Sequence, residues 1–464
     1  MTLHKIVVIG LGKLGACLAA VLADAGFTVC GVDIDEGKVD KVNRGEAPVF
    51  EPGLRDLVKR GRENGRLSAT ISYEIAYRNG ADATFIVVPT PSNPDGSFSL
   101  KHVEEAAQKV GEVMSRRNAY HLIVVVSTVS PGSMVKVKRV IKEASASMYK
   151  RDWGLAYNPE FIALGNVIEG LRNPDFVLIG ESDKRAGDTL EEIYTYVRFT
   201  HTTPKSPCLL RDPYDTPIKR TSFINAEIAK IALNSYVTMK ISFANTLAEI
   251  CEKTEGGDVD VVTDVLGEDG RIGAKYLKGG LGYGGTCFPR DNKAFIRFAV
   301  LDGFPPNHTR CKLAKASDAV NCMIPSRIVH IIRDLGLPVG SRVGVLGLTY
   351  KPGTNIVEES QALTVAHYTS LWGYDVLAFD PTQRVIMEAL IPGCGFLRDR
   401  MSLAPSAEEC VRGSDVVVLA TPWPEFRNLD PALFKGKTVV DCWRFFKDDV
   451  RRECKKYVAV GVNG

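Results

Sequence analysis

Two stretches of this 464-residue chain open in the same way, and that repetition restricts the fold more than any other feature. The first runs Lys5-Ile6-Val7-Val8-Ile9 and continues Gly10-Leu11-Gly12-Lys13-Leu14-Gly15. An apolar strand, a glycine-spaced turn and a helical pattern together open a βαβ unit. The glycines permit a tight turn, close approach of a pyrophosphate and close helix packing. Backbone N–H groups and the positive helix end then meet the phosphates. Asp33 closes the next apolar strand, where a carboxylate accepts hydrogen bonds from ribose hydroxyls and repels a 2′-phosphate. NAD is expected rather than NADP. Gly10, Gly12, Lys13, Leu14, Gly15 and Asp33 are the candidate cofactor residues, and Lys38 lies near the adenosine ribose or its phosphates, or is a solvated surface lysine. Pro89 and Thr90 follow the strand Ala83–Val88, at the strand end where ligand loops belong.

The second opening is Arg342-Val343-Gly344-Val345-Leu346-Gly347. Asp375–Asp380 mirrors Phe27–Asp33, each an apolar strand closed by an aspartate, and Ser414–Pro422 mirrors Ala81–Pro89. The echo is long-period and imperfect, unlike a solenoid. It comes from a repeated fold or from convergence of similar strands. The expected fold class is α/β: two Rossmann-like doubly wound domains joined by a long central helix and helical segment. Further strands are expected at Thr28–Val32, Leu122–Ser127 and Phe176–Ile179. From Asn225 to Glu255 helix-forming residues run with apolar spacing, which supports one long helix able to join the domains and carry a subunit interface. Pro204–Thr221 is rich in Pro, Asp and Arg and reads as a loop or linker. The expected division is residues 1–211, 212–324 and 325–464.

With 58 basic and 55 acidic residues the formal charge is +3, too balanced to argue for nucleic acid or a membrane surface. Eleven cysteines without a C-x-x-C pair read as reduced thiols, and seven dispersed histidines suggest no metal site. No apolar run is long enough to span a bilayer. A soluble, cytoplasmic protein is expected.

The chemistry is concentrated at Cys287, in Gly279-Gly280-Leu281-Gly282-Tyr283-Gly284-Gly285-Thr286-Cys287-Phe288-Pro289-Arg290-Asp291. The glycines let backbone approach a ligand, and Pro289 is placed to open a helix, so the thiol is expected near a helix N-terminus that favours thiolate. A hydride acceptor plus a nucleophilic cysteine is the equipment for oxidising an alcohol past the aldehyde. Lys230 and Asn234 stand one helical turn apart, so they share a face. A cation and an amide there can stabilise an oxyanion.

These segments resemble the UDP-glucose/GDP-mannose dehydrogenase family over nearly the whole chain. The resemblance rests on the first glycine turn with Asp33, Glu51-Pro52-Gly53-Leu54, Ser127-Thr128-Val129-Ser130-Pro131-Gly132, Asn158-Pro159-Glu160-Phe161, Lys230 with Asn234, Arg271-Ile272-Gly273, the Cys287 loop and Lys351-Pro352-Gly353-Thr354. It implies two NAD per sugar and a covalent sugar–Cys287 intermediate. Lys230 and Asn234 would then act as the oxyanion group. Asp291 would orient a water or Lys230, Glu160 would be general base in thioester hydrolysis, and Thr128 would belong to the same water-handling group and the cofactor side. It assigns the UDP-sugar to Glu160, Phe161, Ile162, Lys230, Asn234, Tyr276, Leu277, Lys278, Gly284 and Lys351. Arg271 is assigned to the neighbouring subunit's substrate, which implies a homodimer or higher oligomer.

The chain departs from the family pattern at Leu164, where a glutamate is usual, at Glu358, where an arginine is usual, and at Arg290, where lysine is commoner. The expected reaction is NAD-dependent oxidation of UDP-glucose to UDP-glucuronate. The alternatives are the same chemistry on a UDP-N-acetylhexosamine, dTDP-glucose or GDP-mannose, and a non-catalytic nucleotide-sugar sensor. A two-electron hydroxyacid dehydrogenase would share the first fingerprint but has no use for the second domain or the thiol.

Overall fold

The computed structural model describes residues 4–114, 119–145, 147–162, 164–201, 216–300, 309–382 and 400–463. The chain forms two compact units, Met1–Ala232 and Leu233–Gly464. Each is built around its own twisted sheet.

The first unit contains strands β1 (Lys5–Ile9), β2 (Thr28–Val32), β3 (Leu67–Thr70), β4 (Ala83–Ile86), β5 (His121–Val125), β6 (Trp153–Tyr157), β7 (Val177–Glu181) and β8 (Ile218–Thr221). Their order across the sheet is β3-β2-β1-β4-β5-β6-β7-β8. All pairs are parallel except β6 with β7. The order reverses direction between β1 and β4, which makes the switch point where doubly wound sheets receive ligands. Strands β1, β4 and β5 are almost wholly buried, as strands covered by helices on both faces must be.

The second unit contains β9 (Arg342–Leu346), β10 (Asp375–Phe379), β11 (Met401–Leu403), β12 (Val416–Leu419), β13 (Thr438–Asp441) and β14 (Lys456–Ala459). Their order is β11-β10-β9-β12-β13-β14, with every pair parallel. Counted from its own first strand, this is the order of the first six strands of the other sheet, so the sequence echo reflects a shared topology. The helices Val259–Glu268, Phe288–Val300 and Lys312–Arg333 precede this sheet.

The likeness extends to single hydrogen bonds. Gly10 N donates to Val32 O at 2.7 Å, and Gly347 N donates to Phe379 O at 2.7 Å. Both glycines turn the chain with positive φ, 95° and 90°, a conformation that costs a Cβ-bearing residue. An added Cβ would also strike the Val87 carbonyl in the first case and Thr421 in the second. The aspartate that ends the neighbouring strand then accepts the next backbone N–H: Leu11 N to Asp33 at 2.6 Å, and Leu348 N to Asp380 at 2.7 Å.

Two expectations need correction. The strand expected over Ala83–Val88 ends at Ile86, with Val87 N making a last bond to Ile9 O at 2.8 Å. The loop expected over Pro204–Thr221 ends in β8, an edge strand. Its sequence, Ile-Lys-Arg-Thr, is polar because only one side of it packs. Residues 202–215 of that segment lie outside the described residues. The doubly wound class expected of the first sheet is met, with the β6–β7 pair antiparallel. The long helix is present as Phe223–Lys253. No helix among the described residues is long and apolar enough to cross a membrane.

Asp380 is fully buried and accepts from Leu348 N, Thr349 N and Thr382 N. Asp380→Ala would leave these donors unpaired at a cost of at least about 1–3 kcal/mol. Chemical denaturation should show a lower midpoint for the variant. A midpoint equal to wild type would mean that the carboxylate does not hold this turn.

Candidate active site

At the switch point of the first sheet, Gly12 caps the helix Lys13–Asp24 without any side-chain bond, and a Cβ added there would meet open space. Gly15 is different, since its Cβ would collide with the Gly10 carbonyl. The two glycines therefore serve separately, one leaving room above the helix end and the other letting helix and strand close together. Lys13 and Leu14, in the first turn, are partly exposed. Asp33 sits at the rim, 9% exposed, with Oδ2 on Leu11 N and Oδ1 on Asp35 N at 2.9 Å. Lys38 Nζ is 3.7 Å from Asp33 Oδ1 and 3.6 Å from Asp35 Oδ2. Lys38 thus sits beside the carboxylate rather than facing bulk solvent alone.

The loops after β4 and β5 are tied together. Ser127 Oγ donates to Val88 O at 2.7 Å, and Thr90 Oγ1 donates to Thr128 O at 2.8 Å. Pro89 and Thr128 keep exposed surface here. Glu227, from the long helix, caps the helix Ser133–Ala144 by accepting from Gly132 N and Met134 N, both at 2.7 Å. In the same manner Glu51 accepts from Gly165 N and Val167 N, at 3.0 and 2.8 Å. The Glu51-Pro52-Gly53-Leu54 motif thus has a structural task.

Glu160 follows β6 and is partly buried. Burial raises its carboxyl above the ordinary value, while a proton donated by the Tyr194 hydroxyl, and the Lys230 ammonium, would each oppose that shift. Tyr194 OH lies 2.7 Å from Glu160 Oε1. Lys230 Nζ donates to the backbone oxygen of Glu160 at 2.6 Å and lies 4.9 Å from the centre of the Phe161 ring. Phe161 in turn packs on Phe176 with ring centres 4.8 Å apart. Ile162 and Leu164 lean on the core of this unit, so Leu164 is anchored by apolar contact where the family pattern has a carboxylate.

In the second unit Cys287 immediately precedes the helix Phe288–Val300, and its carbonyl accepts the first capping bond, from Asp291 N at 2.8 Å. Its side chain is exposed, and Thr286 Oγ1 lies 3.5 Å from Sγ. Burial instead pushes up the thiols of Cys17, Cys410 and Cys442. A buried thiol resists ionisation and makes a poor nucleophile.

The glycine run before Cys287 is held from behind. Gly285 N donates to Glu358 O at 3.0 Å, and a Cβ on Gly285 would enter the Tyr350 ring. Gly284 is equally confined, against the Glu359 carbonyl. Asp291 is almost fully buried, and Asn234 Nδ2 donates to its Oδ2 at 2.6 Å. Lys230 and Asn234 are carried one turn apart on the same helix, and each bonds within its own unit.

Tyr276 has a positive φ of 65° and sets its ring edge against Phe288, beside the thiol. Leu277 is buried, so only its backbone can address a ligand, whereas Lys278 is exposed. Arg271 is turned towards solvent with its guanidinium on Asp269. Lys351 lies on the rim of a cleft of about 200 Å³ lined by Leu281, Tyr350, Gln361, Thr421 and Trp443 among others. This cleft stands at the C-terminal ends of β9 and β12, the switch point of the second sheet.

The sequence reading missed Tyr194 and Trp443. A tyrosine in a helical stretch carries no local signature of a polar partner. Thr421 and Pro422, by contrast, were already marked by the echo of Val88 and Pro89.

Comparison with known proteins accounts for both switch points. Family models match residues 4–198 as the NAD binding domain of the UDP-glucose/GDP-mannose dehydrogenase family, 224–321 as its central domain and 344–448 as its UDP binding domain. The chain belongs to this family and is an NAD-dependent nucleotide-sugar dehydrogenase. It is 37% identical over 424 residues to a UDP-glucose 6-dehydrogenase of Haloferax volcanii, covering 91% of this chain and 92% of that one. It is 31% identical to a GDP-mannose 6-dehydrogenase of Pseudomonas aeruginosa, covering 94% and 96%. A solved UDP-glucose dehydrogenase of Pyrobaculum islandicum superposes with a TM-score of 0.86 at 34% identity, covering 99% of this chain and 98% of that one.

The first unit fits the dinucleotide. Gly12 leaves space for a pyrophosphate at a helix N-terminus, and Asp33 reaches the rim where the adenosine ribose would lie. The second unit does not repeat this fit, because the corresponding Asp380 is sealed under Thr349, Thr382 and Trp423. Asp33→Ala should weaken NAD binding about 10- to 100-fold, the loss of charge-assisted bonds to a ribose, with nucleotide-sugar affinity unchanged. Calorimetric titration of each ligand measures this. Equal NAD affinity would remove Asp33 from the cofactor site.

Proposed function

We propose that the protein oxidises UDP-glucose to UDP-glucuronate at C6 in a four-electron reaction through Cys287. The observation that carries this reading is the exposed thiol at the start of the helix Phe288–Val300, presented on a confined glycine loop. Bound NAD supplies the hydride acceptor, one molecule for each of two oxidations. The residues of the chain hold the carbon in between. Cys287 Sγ adds to the aldehyde carbon and forms a C–S bond, and the carbonyl oxygen takes a proton to give a thiohemiacetal. After the second oxidation the same sulfur holds a thioester. Water then attacks, the C–S bond breaks, and the sulfur recovers its proton as the carboxylate leaves.

In this reading Lys230 and Asn234 steady the oxyanion at C6, and Asp291 fixes Asn234 through their 2.6 Å bond. Glu160 takes the proton of the attacking water, with Thr128 in the same water-handling group. Lys351 and the cleft beside it receive the UDP moiety, supported by the match of residues 344–448 to a UDP binding domain. Phe161, Ile162, Tyr276, Leu277, Lys278 and Gly284 enclose the sugar and its diphosphate. The three-part division at residues 1–211, 212–324 and 325–464 follows the same assignment of tasks.

We also propose that the protein is a homodimer or larger. Tyr236, Phe243 and Ile250 recur every seventh residue along the long helix and are 55%, 53% and 55% exposed, a stripe that a second copy would cover. Arg271 then reaches the partner's substrate once phosphate replaces Asp269. A cytoplasmic setting accords with the nine described cysteines, all free thiols.

A substrate panel tests the sugar. UDP-glucose should yield two NADH per molecule, and greater turnover of GDP-mannose or a UDP-N-acetylhexosamine would reassign it. Cys287→Ser should abolish uronate release, and full release would exclude the covalent route.

Because Glu160 works as a base only when ionised, and burial raises its carboxyl, hydrolysis should fall as pH drops through that raised value. This acid limb should lie above the ordinary carboxylate range of about 4.3. Glu160→Gln should abolish the limb, slow release about 10²- to 10⁴-fold and let thioester accumulate, visible by mass spectrometry. Phe243→Glu should shift the mass seen by light scattering towards one chain.

A further inference from the structure

The surroundings of Glu160 contain more oxygens than protons. Tyr194, 5% exposed on the helix Lys184–His201, places its hydroxyl 2.5 Å from Asn158 Oδ1 and 2.7 Å from Glu160 Oε1. A phenol has one proton and can donate to only one of these. Asn158 cannot turn its amide to help. Its Nδ2 donates to the Leu178 carbonyl at 2.9 Å, and the opposite orientation would set two carbonyl oxygens face to face. Asn158 is 2% exposed, and its backbone N–H is held by Val125 O at 2.9 Å. Its amide oxygen is therefore fixed towards Tyr194 as an acceptor only.

We propose that Tyr194 is a positioning residue that spends its proton on Asn158 and keeps Glu160 a carboxylic acid at rest. With that proton on the Asn158 side, the phenol shows a lone pair to Glu160. Two oxygens 2.7 Å apart need a proton between them, and only the carboxyl can supply it. Glu160 donates to Tyr194, and Tyr194 donates to Asn158.

The base form is reached when the carboxyl releases its proton to solvent and the phenol O–H swings from Asn158 to the new carboxylate. During hydrolysis the carboxylate regains a proton from the attacking water, and the phenol swings back. The rotation exchanges one hydrogen bond for another, so its cost is the bond surrendered at Asn158. The charged group facing the carboxyl is the Lys230 ammonium, which favours the ionised form, and burial opposes it. The neighbouring phenol is itself held protonated, first of all by burial.

This inference rests on the base role given to Glu160 above but is tested separately, by infrared difference spectroscopy of the full-length protein through a pH titration. A carboxylic-acid C=O band absent from Glu160→Gln should be present at neutral pH and titrate above it, well beyond the ordinary value of about 4.3. In Asn158→Ala the phenol proton is released to the carboxylate, and the midpoint should fall by about one unit or more. In Tyr194→Phe the acid loses its acceptor, and the band should move to higher frequency. A midpoint below neutral pH, a midpoint unmoved or raised in Asn158→Ala, or an unshifted band in Tyr194→Phe would overturn the proposal. Full uronate release by Glu160→Gln together with these band shifts would leave the proton arrangement standing and remove only the base role.

Discussion

A carboxylate bonded to the backbone N–H that follows a glycine turn is the interaction on which both units are organised. It joins the end of the second strand to the loop leaving the first, and so fixes where a ligand loop begins. Asp33 makes this bond with one oxygen and keeps a small exposed edge, 9% of its surface. Asp380 makes it too, but its remaining capacity is consumed by Thr349, Thr382 and Trp423, and nothing is left to meet solvent. One topology thereby serves two ligands. The open copy can recognise a ribose. Beside the closed copy lies a cleft lined by Tyr350, Gln361 and Thr421 among others, with Lys351 at its rim.

The groups assigned to chemistry differ from their neighbours in what surrounds them. Three cysteines of the two cores are suppressed by burial, whereas Cys287 is exposed where a helix begins. Asp291 is as buried as any core residue and is matched by the Asn234 amide. Glu160 sits between these extremes, with burial raising its carboxyl above the ordinary value and Lys230 pulling the other way. Many other polar groups have purely architectural duties. Glu227 and Glu51 resemble active-site acids in their burial, yet each spends both oxygens on a helix start.

Much of this was legible in the sequence because it depends on local rules. The strands with strong apolar runs, the glycine turns, the closing aspartates and the long helix all follow from short-range pattern. Strands β11, β13 and β14 of the second sheet were not read, nor were β3, β6 and β8 of the first. Leu67–Thr70 and Ile218–Thr221 are short and at least half polar, and Trp153–Tyr157 carries a glycine at its second position, so none shows a period distinct from a loop. They become strands because a neighbour offers its unpaired edge. The site divides along the same line. Cys287 and the Lys230–Asn234 pair stand in recognisable spacing. Tyr194 depends on three segments meeting, from β6, β7 and a later helix, and no window of sequence contains that meeting.

The glutamate at position 358 also bears on how the chain varies. Its side chain is exposed, while its main-chain oxygen secures the loop that presents the thiol. Every amino acid, proline included, brings an equivalent oxygen. Exchange of an arginine for an acid there leaves the anchor untouched. The position is constrained in space while remaining at liberty in identity, and substitution records alone would underrate it.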